Sequence, residues 1–204
     1  MKSFKVGFDI DDVLFPWYAR VHEACVEAGI TNDVEPTSWR PYEEYGCTKE
    51  DWLEALDVIT MKGNLYLKHG PDEDAARALR SLIFDGHEVH LITARGFIGH
   101  SRLISQHTVR WLEQYAIPYK SLTFTRSKGV KAAELGLDFF IDDNGDNWLD
   151  VKRHMPGWQT PNQVPNVYLL DRPWNQDVVT FPRERVSSVQ QYVDNIQEAA
   201  NHDS

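Results

Sequence analysis

The chain has 204 residues, 42% hydrophobic and 12% aromatic, which suits one α/β domain with an insertion and excludes an intrinsically disordered chain. Its 31 acidic and 21 basic residues give a formal charge of −10, which argues against generic binding to long nucleic acid or to an anionic membrane, since both need basic surface. A small anionic substrate met by a few local cations stays open. Only Cys25 and Cys47 are present, so no disulfide framework is expected and a reducing, cytoplasmic setting is the simpler expectation. The N-terminus enters a strand at once, without a signal-peptide pattern, and no apolar run reaches the length of a membrane span.

The first strand is expected from Phe4 through Phe8, and it ends in Asp9, Asp11 and Asp12, three carboxylates within four positions. Side chains two apart on a strand share a face, so Asp9 and Asp11 point into one small space if the strand end stays extended. Like charges that close are unfavourable unless a cation or a proton lies between them. A lone Asp-x-Asp reads more simply as a solvated turn with a helix cap, so the rest of the chain has to decide. Residues 15–29 read as a helix with Pro16 in its first turn and Gly29 as its stop. Residues 31–46 are turn-rich and carry Trp39, Tyr42 and Tyr45. Thr48-Lys49-Glu50-Asp51 resembles a cap with an acidic first turn, opening a helix with Trp52, Leu53, Leu56 and Ile59. Residues 63–71 read as a connector.

A βα rhythm then resumes. Helices are expected over 72–84, 100–115, 127–135, 147–154 and 186–199. Strands are expected over 88–92, 119–125, 138–141 and 167–170, with 156–165 as a loop and Asp146 as a helix cap. The alternation predicts an α/β fold: a Rossmann-like parallel sheet of about five strands with helices on both faces. The core domain is expected over 1–14 and 72–204, and a small helical cap, inserted after the first strand, over 15–71.

In a parallel sheet the carboxyl ends of all strands lie along one edge, which brings together Asp9 with Asp11, Thr93, Lys128, and Asp142 with Asp143. This set resembles the four motifs of the haloacid dehalogenase-like superfamily of phosphatases and phosphotransferases. Phe8-Asp9-Ile10-Asp11-Asp12-Val13-Leu14 resembles the first motif, His90-Leu91-Ile92-Thr93 the second, Ser127-Lys128-Gly129 the third and Phe139-Phe140-Ile141-Asp142-Asp143 the fourth. Any one of these is weak; four in order are specific. The strings Ile92-Thr93-Ala94-Arg95, Phe140-Ile141-Asp142-Asp143 and Leu170-Asp171-Arg172-Pro173-Trp174-Asn175 further resemble the bacterial and phage branch of the 5′(3′)-deoxyribonucleotidase family. Asp12 stands where many relatives have Gly.

The resemblance implies Mg²⁺-dependent removal of phosphate from (deoxy)nucleoside monophosphates through an aspartyl phosphate. Asp9 is then the nucleophile and Asp11 the general acid and base. Asp9, Asp142 and the backbone carbonyl of Asp11 hold the metal, and Asp143 orients them. Thr93, Ala94 and Lys128 bind the phosphoryl oxygens, with Lys131 one turn on as the rival lysine. Arg95 either joins the phosphate or pairs with a surface acid. Trp17 takes the place of an aromatic that stacks on the base, and Trp39 and Tyr42 are further candidate walls. The plainer reading is that these aromatics form the cap's own core. The loop Arg172-Pro173-Trp174-Asn175 is expected to buttress the rim. The His and Cys residues show no metal-ligand spacing, so no zinc site is expected. Two other readings are a phosphatase of the same superfamily acting on another small phosphometabolite or a DNA 3′-phosphate end, and a catalytically silent nucleotide-binding module. Base preference and homodimer formation are left open.

Overall fold

The computed structural model describes residues 2–31, 34–61, 65–96, 101–156 and 166–202. Six strands form one sheet: β1 (Lys5–Phe8), β2 (Glu88–Thr93), β3 (Ser121–Phe124), β4 (Phe139–Asp142), β5 (Asn166–Leu170) and β6 (Arg185–Val186). Their order is β3-β2-β1-β4-β5-β6, and every pairing is parallel. The chain runs outward from β1 in one direction and from β4 in the other, so the gap between them is the topological switch point where open α/β sheets place ligands.

Register carries the acids to that point. Phe8 pairs with Ile141 across β1 and β4, and the Asp9 N–H donates to the Ile141 carbonyl at 3.0 Å. The residues that follow, Asp9 and Asp142, therefore emerge side by side. Alternation along the strands builds two cores. Val6, Phe8 and Ile141 pack with α5 (Glu73–Phe84), α6 (Ser101–Gln114) and α9 (Val189–His202). Phe140, Val167 and Leu169 pack with α7 (Lys128–Leu135) and α8 (Gly145–His154). Gly7 makes the second core possible: a Cβ there would lie 2.4 Å from Phe140 Cδ2 and 2.5 Å from Leu137 Cδ1.

Between β1 and α5 lie only helices and the isolated Asp11–Phe15 bridge among the described residues: α1 (Trp17–Glu27), α2 (Pro41–Tyr45), α3 (Lys49–Met61) and α4 (Leu65–Lys68). The capping expectation at Thr48 is met, its hydroxyl accepting from the Asp51 N–H at 3.1 Å and donating to Asp51 Oδ2 at 2.7 Å.

The structure departs from the sequence reading in several places. A sixth strand of two residues, β6, takes Val186, which helical spacing had assigned to the closing helix. Its partner is the edge of β5, which periodicity over two residues cannot reveal. The stretch read as a connector contains α4, whose Leu65 and Tyr66 are buried. Asn144, not Asp146, caps α8, its Oδ1 accepting the N–H groups of Asp146 and Asn147 at 3.0 Å each. Pro16 precedes α1 rather than lying in its first turn. The expected loop falls almost wholly on 157–165, and residues 32–33, 63–64 and 100 of the expected segments also lie outside the described residues.

Candidate active site

At the carboxyl edge of the sheet a cavity of about 390 Å³ opens between the strand ends and the helical insertion. Its floor includes Asp9, Asp11, Asp12, Lys128 and Asp143. Oxygens of Asp9, Asp142 and Asp143 all lie within 4.8 Å of one another, and all three residues are buried. One cation lies among them: Lys128 Nζ is 2.7 Å from Asp9 Oδ1 and 2.7 Å from Asp142 Oδ2.

The fold places Lys128 there for local reasons. It is the first residue of α7, immediately after the turn leaving β3. The next residue, Gly129, lets α7 approach α8, because a Cβ there would lie 2.5 Å from the Asp150 carbonyl oxygen. The Gly129 N–H donates to Asp150 Oδ2 at 2.7 Å, pinning the first turn. The rival Lys131 is instead a surface residue, 31% exposed, paired with Glu134 at 3.2 Å, against 1% for Lys128.

Burial sets the electrostatics. Desolvation pushes the Asp9 carboxyl up to about 7, with Lys128 pulling against it and Asp142 and Asp11 adding to it. Burial likewise holds Asp143 well above the usual carboxylate range, and the neighbouring Asp142 charge reinforces this. Burial works against the charged form of Lys128, but Asp142 and Asp9 outweigh it and hold the ammonium protonated. Both oxygens of Asp142 accept: Oδ2 from Lys128 at 2.7 Å, and Oδ1 from the Asn144 N–H at 2.9 Å and Asn147 Nδ2 at 3.3 Å.

Asp11 shares the cavity but not the carboxylate cluster. Its carboxylate takes three hydrogen bonds from Arg95, from Nε at 2.9 and 3.0 Å and from Nη2 at 2.6 Å. The Arg95 guanidinium is buried, 4.1 Å from the Tyr66 ring centroid and 4.9 Å from that of Phe15. Of the two expectations for Arg95, phosphate or a surface acid, the structure shows a pairing with an acid, but with Asp11 of the cavity rather than a surface one. Asp9 and Asp11 both line the cavity, as the spacing predicts, although the strand itself ends at Phe8.

Asp12 has φ of 56°, the left-handed region where Gly is at ease and Asp is among the tolerated residues. Asp12 Oδ1 accepts the Tyr18 N–H at 2.9 Å, so its side chain serves the start of α1.

Thr93 is fully buried and its hydroxyl oxygen accepts the Arg95 N–H at 3.2 Å. The cavity wall here is formed by Ala94, Arg95 and Gly96. Trp17 and Trp39 line the cavity. Tyr42 does not join them; it packs against the hydrophobic core, as Tyr45 does, and Trp52 is part of that core. Packing into a core is what the plainer reading expected of Tyr42, since a helical layer needs large rings to bury enough area. Sequence reasoning missed Asn144 and Asn147, which hold Asp142, and Leu56, Asp57 and Thr60, which line the cavity from one face of α3. The asparagines stood in an acid-rich strand end where a cap was needed. The α3 residues carry no signal that separates a cavity face from a core face.

Comparison with known proteins agrees with this geometry. A family model described as 5′ nucleotidase, deoxy (pyrimidine), cytosolic type C protein matches residues 2–200. A Chlorobaculum tepidum protein, provisionally named a 5′(3′)-deoxyribonucleotidase, is 29% identical over 156 residues, 74% of either chain. Among solved structures, a Thermotoga maritima protein provisionally titled a β-phosphoglucomutase aligns with a TM-score of 0.57 at 13% identity, covering 96% of this chain and 99% of that one. The L-2-haloacid dehalogenase of Xanthobacter autotrophicus, solved with chloropropionic acid covalently bound, aligns with a TM-score of 0.54 at 12% identity over the same shares. At such identities the two structures show the fold alone, the haloacid dehalogenase-like fold.

Proposed function

The chain belongs to the family of cytosolic type C 5′(deoxypyrimidine) nucleotidases, and on that premise we propose that it is a Mg²⁺-dependent phosphomonoesterase acting on (deoxy)nucleoside monophosphates through an aspartyl phosphate. The observation that carries this reading is the buried cluster of Asp9, Asp142 and Asp143 around one ammonium, set under a cavity with indole walls.

The donor set fits a hard divalent cation. Three buried carboxylates face a single lysine, and every side-chain donor in the cluster is an oxygen, the ligand type Mg²⁺ prefers. Asp9 and Asp142 would hold the ion by their side chains and Asp11 by its backbone carbonyl, with Asp143 orienting them. When bound, the ion supplies positive charge that offsets both the acids and the phosphate dianion. Asp9 then forms the new bond to phosphorus as the ester P–O bond breaks, and the departing nucleoside oxygen takes a proton from Asp11. A water oxygen next attacks phosphorus, gives its proton to the Asp11 carboxylate, and the P–O bond to Asp9 breaks to free inorganic phosphate. Lys128, Thr93 and the Ala94 backbone would stabilise charge on the phosphoryl oxygens, the usual source of most of the catalysis in phosphoryl transfer. Trp17 and Trp39 offer ring faces to a base, a contact worth on the order of 1–3 kcal/mol per base.

Phosphate release from a panel of nucleoside monophosphates and sugar phosphates, with and without EDTA, tests the reading. Nucleotides should lead the panel, and EDTA should remove activity that Mg²⁺ restores. Turnover unaffected by EDTA, or a preference for sugar phosphates, would contradict it.

A further inference from the structure

The string Arg172-Pro173-Trp174-Asn175 has no part in the chemistry above, yet it touches both acidic strand ends. It leaves β5 as a short 3-10 turn, Pro173–Asn175. Arg172 Nε and Nη2 donate to the Asp12 carbonyl oxygen at 3.1 and 2.7 Å, gripping the turn after β1. Trp174 Nε1 donates to Asp143 Oδ2 at 2.9 Å. Asn175, fully buried, donates from Nδ2 to the Asp143 carbonyl at 2.7 Å and to the Leu170 carbonyl at 2.8 Å. Arg185 braces the turn from β6, reaching Asn175 Oδ1 at 2.8 Å and Asp171 Oδ1 at 2.7 Å.

The ring of Trp174 is engaged by the helical insertion. Tyr18 of α1 stacks on it with centroids 4.3 Å apart and planes 27° from parallel. Trp39 meets it at 5.7 Å and 62°. The Tyr18 hydroxyl donates to the Ser38 carbonyl, the residue before Trp39, and Trp39 lines the substrate cavity. One indole therefore has its N–H on a carboxylate of the buried cluster and its ring against Trp39, which walls the cavity, and against Tyr18.

We infer that Trp174 is a positioning residue: its N–H orients Asp143 and so sets the affinity of the acidic cluster for a divalent cation, and its ring ties that affinity to the seating of Tyr18 and Trp39. The inference rests on the metal-dependent reading above. Partners that orient the residues around a metal typically contribute 10–100-fold to its affinity. Trp174 acts through Asp143 and the ring stack, with no contact to phosphorus required.

The test is Mn²⁺ binding to the full chain, followed by the electron paramagnetic resonance signal of free Mn²⁺, with circular dichroism melts as the check on folding. Trp174→Phe keeps a smaller aromatic ring against Tyr18 and removes the N–H; it should weaken Mn²⁺ by about 10–100-fold while the chain stays folded. Tyr18→Leu leaves every partner of Asp143 in place and loosens the stack; it should weaken Mn²⁺ by a smaller factor. Wild-type affinity in Trp174→Phe would overturn the inference while leaving the phosphatase reading standing. Should Trp174→Phe fail to fold, wild-type affinity in Tyr18→Leu would overturn it instead. A wild-type chain that binds no Mn²⁺ would sink both.

Discussion

Asp9→Asn should abolish turnover, by on the order of 10⁴-fold or more, the scale on which enzymes lose rate when a covalent nucleophile is removed. The amide has nearly the shape of the carboxyl but lacks the anionic oxygen that the proposed route bonds to phosphorus. The fold should survive, because the position is buried and its carboxyl is already pushed up to about 7 by desolvation. An amide there removes a poorly solvated charge rather than adding one, while Lys128 keeps its contact with Asp142 at 2.7 Å. Phosphate release alongside a thermal melt reads both halves. An Asp9→Asn chain that hydrolyses nucleotides at the wild-type rate would remove Asp9 from the chemistry.

Lys128→Met should cost stability as well as rate, and the lost stability should be recoverable with metal. The ammonium is the one cation within 4 Å of Asp9 and Asp142 among the described residues. Removing one partner from a buried ion pair typically costs about 3–5 kcal/mol, because the charge left behind is uncompensated. In EDTA the variant should therefore melt well below the wild type. Excess Mg²⁺ should recover much of the difference, since an ion bound only by the folded chain stabilises it by mass action. Turnover should fall by about 10²–10³-fold even with metal, the usual loss when one charge-stabilising donor is removed. A Lys128→Met chain as stable as wild type in EDTA would show that the cluster does not depend on this ammonium.

Much of this was legible because the signals were long or redundant. The run Val6-Gly7-Phe8 before Asp9, and Phe139-Phe140-Ile141 before Asp142, are apolar on both faces, which in a parallel sheet means burial under helices on each side. Their shared edge then followed from topology. What stayed hidden depended on contacts across the sequence. Strand β6 has two residues and exists only through β5. Arg95 looked like either a phosphate ligand or a surface pair; the Phe15 and Tyr66 rings that bury it lie 80 and 29 residues earlier in the chain. Tyr42 and Trp39 are both aromatic and near each other in the same turn-rich stretch, yet one packs against the core and the other lines the cavity, which composition cannot separate. The anchoring role of the 172–175 turn needed Asp12 and Asp143 in place before it could be seen.

The most direct measurement is an acid-quenched single turnover with a nucleoside monophosphate carrying labelled phosphate, followed by peptide mapping. The covalent route predicts label on the peptide containing Asp9, formed within the first turnover and absent from Asp9→Asn. Label on any other residue, or steady release of phosphate with no labelled protein at any quench time, would contradict it.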